Sequence, residues 1–258
     1  KFPMSHHLEW AVLLPMSMPA YIVAYSYTGA FDASGPVQEI IRGFTGWEYH
    51  DYWFPEVRSL GGAIAMLSFV LYPYIYLLTR ASFIEQSVCV LEVSRTLGCT
   101  YVDAFRRVAL PIARPAIIVG LSLVLMETLA DYGTVQYFGV SAFTTGIFRT
   151  WFGMDNSLAA AQLSALLLLF VAVFIFLERR SRAQLAFHHT SSRYSPLLKQ
   201  KLKGTQAFLA FFVCFIPLLL GFIIPASFLF DWAIDSYSGV FNKVFYLLLF
   251  NTLALAFM

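Results

Sequence analysis

Six near-continuous apolar stretches constrain this chain more than any other feature. They cover Leu8–Thr28, Leu60–Leu78, Ala113–Leu129, Leu158–Leu177, Phe208–Phe230 and Val244–Met258. A bilayer hydrocarbon core of about 30 Å takes about 20 apolar residues per helix. Backbone polar groups in lipid must be satisfied inside a helix or around a closed barrel. The stretches do not alternate polar and apolar residues as barrel strands must. The predicted fold is therefore all-α, a polytopic transmembrane helical bundle of about six spans. Composition agrees, with 59% hydrophobic and 12% charged residues where soluble domains carry about 45–50% and about 25%. Pro15 and Pro19 are expected to kink the first span, which neighbouring helices make tolerable in lipid.

Lysine and arginine set the sidedness. Thirteen of the seventeen fall on the side that holds Lys1 and the loops Arg80–Arg114 and Glu178–Lys203. The opposite side holds Arg42, Arg58, Arg149 and Lys243. The first side is therefore cytoplasmic, and residues 80–114 and 178–205 lie there. The outer side collects the acidic residues Asp32, Glu39, Glu48, Asp51, Glu56, Asp131, Asp155, Asp231 and Asp235. Trp47, Trp53, Trp151 and Trp232 lie in or beside the outer loops, as interfacial anchors do. The Asp131–Asn156 loop is expected to fold partly back into the membrane. A net charge of +2 with no basic tail argues against a nucleic-acid partner. Cys89, Cys99 and Cys214 are isolated and form neither a metal motif nor a disulfide framework.

The cytoplasmic segment from Glu85 to Pro111 reads as helix, turn, helix. Gly98 sits where a left-handed cap ends the first helix. Thr100 is placed to cap the second, with Asp103 three residues on in the capping-box position. Ala104, Phe105 and Val108 share one face of that short helix, Arg106 and Arg107 lie off it, and Pro111 is expected to stop it. Such a segment suits docking into a groove on a cytoplasmic partner. It equally suits an amphipathic loop on the lipid interface with its arginines on phosphates. Residue chemistry alone leaves both readings open.

The spacing carries a family resemblance. Glu92-Val93-Ser94, then Gly98, then Val108, Leu110 and Pro111 are similar to the EAA loop of binding-protein-dependent ABC importer permeases. That pattern is Glu-Ala-Ala, three residues, Gly, nine residues, Ile, one residue, Leu-Pro; Val93, Ser94 and Val108 depart from it conservatively. The stretches Asp51–Gly62, Glu85–Val88, Glu127–Gly139 and Thr145–Trp151 further resemble the ferric-iron branch. The resemblance implies the type I permease fold and a transport subunit that is not itself an enzyme. It implies two ATPase subunits below, holding ATP and magnesium that this chain does not bind. A periplasmic binding protein would deliver ferric iron above. The same fold serves other solutes, such as thiamine, a polyamine or an inorganic anion. A membrane-embedded enzyme or signalling protein is the remaining alternative, and it would need clustered catalytic residues or would lack the spaced pattern.

In such permeases two six-span halves are often fused. Residues 1–180 then correspond to the last four spans of a first half with the EAA loop at 85–111. Residues 181–205 are a cytoplasmic linker rich in Ser, His, Lys and Arg, and 206–258 are the first two spans of a second half. Lys at position 1 and an apolar run that stops at Met258 fit a portion of a longer membrane protein. Within the resemblance, Glu92, Gly98, Thr100, Asp103, Arg106, Arg107 and Pro111 are the expected ATPase-coupling residues, although Glu92 also reads as an ordinary solvated helix residue.

Glu127, Asp131, Tyr132 and Gln136 are candidates for the translocation path. A carboxylate at membrane depth costs about 2.5–3.5 kcal/mol at a helix centre and faces water or a partner. Carboxylate and phenolate oxygens suit a hard cation, and no metal-ligand set can be specified. The plainer reading is that Glu127 reaches the interface and bonds a neighbouring helix. His6-His7 and His188-His189 point apart on a helix and are interface or linker residues. The chain has no phosphate-binding Gly-x-x-x-x-Gly-Lys-Ser/Thr loop, no Gly-x-Ser-x-Gly and no His-Glu-x-x-His. It is therefore not expected to hydrolyse ATP itself or to be one of the commoner membrane hydrolases, and no catalytic residues are expected.

Overall fold

A computed structural model describes residues 2, 4–85, 96, 98, 100–183, 202, 204–240 and 243–256. Among these residues every regular element is helical. In chain order they are α1 (Ser5–Ala11), a 3-10 turn (Leu14–Ser17), α2 (Ala20–Phe31), α3 (Pro36–Thr45) and α4 (Leu60–Glu85). There follow α5 (Tyr101–Ala104), a π-turn (Phe105–Ala109) and α6 (Leu110–Ala130). The outer hairpin comprises α7 (Gly133–Tyr137), α8 (Phe143–Phe148) and a π-turn (Arg149–Gly153). The last elements are α9 (Ser157–Ala183), α10 (Thr205–Leu218), a π-turn (Leu219–Ile223), α11 (Ile224–Val240) and α12 (Lys243–Ala256).

Among the described residues, four helical stretches are long and apolar enough to cross a membrane: Leu60–Ile84, Val102–Ala130, Ser157–Arg180 and Thr205–Tyr237. A fifth is the pair Ser5–Ser17 and Ala20–Thr45, bent by 86° at the break between them. The sixth apolar run forms the 14-residue α12. The first span is thus broken rather than kinked. Pro15 and Pro19 remove two donors, and Met18, which precedes Pro19, is extended at φ −104°, ψ 122°. A residue before proline is pushed out of the helical region in just this way.

The core gathers α2, α4 and the end of α7, with Val23, Ala24, Ala63, Met66, Leu67, Val70, Leu71 and Phe138 buried together. Small residues let the helices approach. A side chain at Gly120 of α6 would meet the Ile75 Cα of α4 at 2.8 Å, a close crossing of the kind that drives packing in lipid. Buried hydroxyls turn back on their own helices: Thr28 Oγ1 donates to the Ala24 carbonyl at 2.8 Å and Ser122 Oγ to that of Ile118 at 2.8 Å.

Two of the π-turns share a cause. Phe105–Ala109 is followed by Leu110-Pro111, and Leu219–Ile223 by Ile224-Pro225. A proline ring clashes with the carbonyl four residues back, and widening that turn to π geometry relieves the clash while the helix continues. Contrary to the expectation from sequence, Pro111 therefore does not stop the short helix. The chain is helical without interruption from Tyr101 to Ala130.

In a π-turn the Leu220 carbonyl would accept from residue 225, and proline has no N–H to give. Tyr27 of α2 donates its hydroxyl to that carbonyl instead. Beside it Ser26 Oγ donates to the Pro225 carbonyl at 3.2 Å. A side chain at Gly221 would meet the Phe69 carbonyl oxygen at 2.2 Å. The span after the 181–205 region is thereby packed directly against α2 and α4.

Candidate functional site

The turn between the two halves of the Glu85–Pro111 segment is built by three residues. Gly98 takes φ +85°, a left-handed conformation that side chains resist. Thr100 then caps α5: its Oγ1 accepts from the Asp103 N–H at 3.2 Å, and its backbone carbonyl accepts from the Ala104 N–H at 2.8 Å. The Thr100 hydroxyl also donates to Asp103 Oδ2 at 2.6 Å. Asp103 thus bonds the capping side chain rather than the capping backbone. Arg107 Nε lies 3.7 Å from Asp103 Oδ1. The Thr100 hydroxyl, with Arg107 and Arg106 nearby, holds the Asp103 carboxyl below the usual carboxylate range. Asp103 lies ahead of Leu110–Ala130, the 21 residues that suffice to cross the membrane.

Ala104 and Ala109 are buried, whereas Val102, Phe105, Arg106 and Arg107 are exposed. The Phe105 ring lies 5.9 Å from that of Phe83 at the inner end of α4. The helix is thus seated on the bundle by its alanines and by Phe105. An apolar and cationic face, Val102 with Arg106 and Arg107, is left outward. Glu92 lies outside the described residues.

At the outer end, the four path candidates separate. Glu127 and Gln136 are exposed on α6 and α7. Asp131 Oδ1 accepts from the Thr134 N–H at 3.0 Å and so caps α7, while its carbonyl accepts from Thr144 Oγ1 at 2.8 Å. Tyr132 stacks on Phe148 with ring centroids 3.9 Å apart. Asp131 and Tyr132 therefore fold the outer hairpin back onto the bundle, where Phe138 is 1% exposed. No side-chain hydrogen bond joins any two of the four among the described residues. Groups of three or more His, Cys, Asp or Glu suited to hold a metal are likewise absent among them.

Sequence reasoning missed the aromatic cluster that joins the outer ends of three elements. Tyr25 of α2 lies edge-on to Tyr137 at 5.7 Å and to Trp232 of α11 at 5.5 Å. Gly29 makes room for the Trp232 ring, which a side chain there would meet at 2.8 Å. The available signal was Tyr21, Tyr25 and Gly29 at four-residue spacing on one helix face. Nearby, Arg58 pairs with Asp32 at 3.2 Å and donates to the Tyr137 carbonyl at 3.2 Å. It ties the long Gly29–Ser59 loop to α7.

The profile of the binding-protein-dependent transport system inner membrane component matches residues 3–183. The chain belongs to that family. As a member, it is a multi-pass permease component of an inner-membrane ABC transport system. Relatives include the Fe(3+)-transport system permease protein FbpB 2 of Haemophilus influenzae, 26% identical over 227 residues, which cover 88% of this chain and 40% of the relative. The ferric transport system permease protein FbpB of Actinobacillus pleuropneumoniae is 26% identical over 232 residues, covering 86% and 33%. The sulfate transport system permease protein CysT of Salmonella typhimurium is 26% identical over 137 residues, covering 53% and 47%. The chain thus spans less than half the length of each of these relatives.

Proposed function

We propose that this permease component admits ferric iron handed over by a periplasmic binding protein, driven by ATPase subunits that seat on the segment Glu92–Pro111. The observation that carries the coupling role is the capped turn at Gly98–Asp103 on a helix that runs unbroken into the third span. Closure of the ATPases would push on Val102, Arg106 and Arg107, and the continuous helix passes that displacement to α6 and the outer hairpin. Iron as the cargo is supported by the names of the two ferric relatives. Glu127 and Gln136 are the exposed polar groups that would meet it, with Asp131 and Tyr132 holding the hairpin in place. The 181–205 region would link two permease halves, a reading supported by the family match over 3–183 and by the packing of α10–α11 on α2 and α4. An inorganic anion is the second reading, favoured by the sulfate relative.

The test uses the full transporter in proteoliposomes with its ATPase and binding proteins. Ferric-loaded binding protein is expected to stimulate ATP hydrolysis. Gly98→Arg and Glu92→Lys are expected to insert normally and to lose that stimulation. Normal transport by both variants would overturn the coupling assignment. Stimulation by a sulfate-loaded binding protein, with none from the ferric one, replaces iron by the anion.

A further inference from the structure

A cavity of about 980 Å³ opens between α1 and α4 at the cytoplasmic end of the bundle, away from the outer hairpin. Much of its wall is carbon: Ile75, Phe83 and Ile84 line it, together with Tyr72 and Tyr76. Both tyrosine hydroxyls are engaged on the α1 main chain, Tyr72 with the Val12 carbonyl at 2.6 Å and Tyr76 with that of Glu9 at 3.2 Å. The rings are what an occupant would meet.

Charge enters this wall in one cluster. Glu9 pairs with Arg80, both side chains 29% exposed, and His6 lines the same space. The Arg80 guanidinium also lies 5.8 Å over the Trp10 ring, which fixes its position. Arg80 is the first cation after the second apolar run, so the cluster stands at the inner membrane boundary, with Tyr72, Ile75 and Tyr76 reaching from it toward the bilayer.

This arrangement matches an amphiphile with both charge signs in its head. A guanidinium has five N–H donors, more than the Glu9 carboxylate, which meets Arg80 at Nη2, can take up. The remaining donors suit a phosphate, and His6 lines the same cavity. The Glu9 carboxylate suits an ammonium. A purely anionic head would gain Arg80 but meet Glu9. Basic pockets between membrane helices on the cytoplasmic side take anionic lipid head groups; here Glu9 beside Arg80 adds an acceptor for an ammonium, and the volume is that of a ligand site.

We propose that the α1–α4 cavity is a phospholipid site selective for a zwitterionic head group that carries a free ammonium, as phosphatidylethanolamine does. Phosphate sits on Arg80 and His6, ammonium on Glu9, and acyl chain along Tyr72, Ile75 and Tyr76. Phe83, on the cavity wall, also faces Phe105, so the lipid bears on the helix that carries the capped turn. The inference does not depend on the cargo.

The experiment is native mass spectrometry of the full, delipidated transporter titrated with phosphatidylethanolamine or phosphatidylglycerol of identical chains. Wild type is expected to retain phosphatidylethanolamine about tenfold more tightly, the worth of one charge-assisted contact. Glu9→Gln is expected to remove that preference by strengthening phosphatidylglycerol. Arg80→Gln is expected to weaken both lipids. Ile84→Trp, at a half-exposed position on the cavity wall, fills the cavity without touching the charges or the α4–α6 crossing, and is expected to lose one bound lipid should the charge variants insert poorly. A photo-crosslinker at Ile84 is expected to label lipid. Retention that ignores the head group, wild-type binding by Ile84→Trp, or crosslinking to another protein segment overturns the site.

Discussion

Replacing Tyr27 by phenylalanine removes one hydroxyl and leaves the ring packed beside Phe31. That hydroxyl serves the Leu220 carbonyl, whose helical partner is missing because residue 225 is proline. An interhelical hydrogen bond in a membrane protein is worth about 0.6 kcal/mol on average and about 1.7 at most. A buried acceptor left bare costs about 1–3 kcal/mol. Tyr27→Phe is therefore expected to destabilise the protein by about 1–2 kcal/mol. The decisive comparison places the same change in a Pro225→Ala background. There residue 225 has an N–H of its own for the carbonyl, and the cost of Tyr27→Phe is expected to fall below about 0.5 kcal/mol, a clear departure from additivity. Reversible unfolding in mixed micelles, followed by tryptophan fluorescence for all four members of the cycle, measures both numbers. Equal cost in the two backgrounds would show that Tyr27 does not stand in for the missing donor, and the account of the π-turn would fail with it.

Two further outcomes follow from the same geometry. Gly120→Val pushes a branched side chain against the Ile75 backbone; it is expected to cost about 1–3 kcal/mol, and stability within about 0.5 kcal/mol of wild type would sink the close crossing of α4 and α6. The Asp103 carboxyl is held below its ordinary value, so the stabilisation it lends the turn is complete above about pH 4 and is lost as pH falls through the lowered value. Thr100→Ala is expected to raise that titration toward the ordinary carboxylate value and to speed exchange of the Asp103 amide, both visible by NMR of the labelled protein. An unchanged titration would mean that the threonine is not its main partner.

Much of this was legible from residue order, and the reasons are local. Apolar runs of span length and the bias of lysine and arginine depend on transfer energies that act residue by residue. The Gly98–Thr100–Asp103 turn is likewise local, because its bonds join residues three apart. What escaped depends on distant partners. Pro111 reads as a stop until the widened turn before it is seen, and a π-turn has no residue signature beyond the proline that provokes it. The 86° break at Pro15 and Pro19 exceeds a kink because Met18 is extended and α1 finds its own contacts on Tyr72 and Tyr76. Asp131 reads as a path carboxylate by depth; that its carbonyl also takes the Thr144 hydroxyl, 13 residues on, is not legible from spacing. The Tyr25, Tyr137 and Trp232 cluster joins residues more than a hundred positions apart, which no spacing rule reaches.

The unbroken helix from Val102 to Ala130 has a mechanical consequence under the proposed coupling. Gly120 lets the α4 backbone approach with no side chain between, and a segment that turned about that point as one body would have unequal arms. At about 1.5 Å per residue the arm from Val102 to Gly120 is about 27 Å, and that from Gly120 to Ala130 about 15 Å. Motion entering at the cytoplasmic end therefore leaves at the outer hairpin reversed in direction and reduced to a little over half. A push of about 3 Å below becomes a swing of about 1.7 Å above. Such gearing favours force over distance at the outer hairpin.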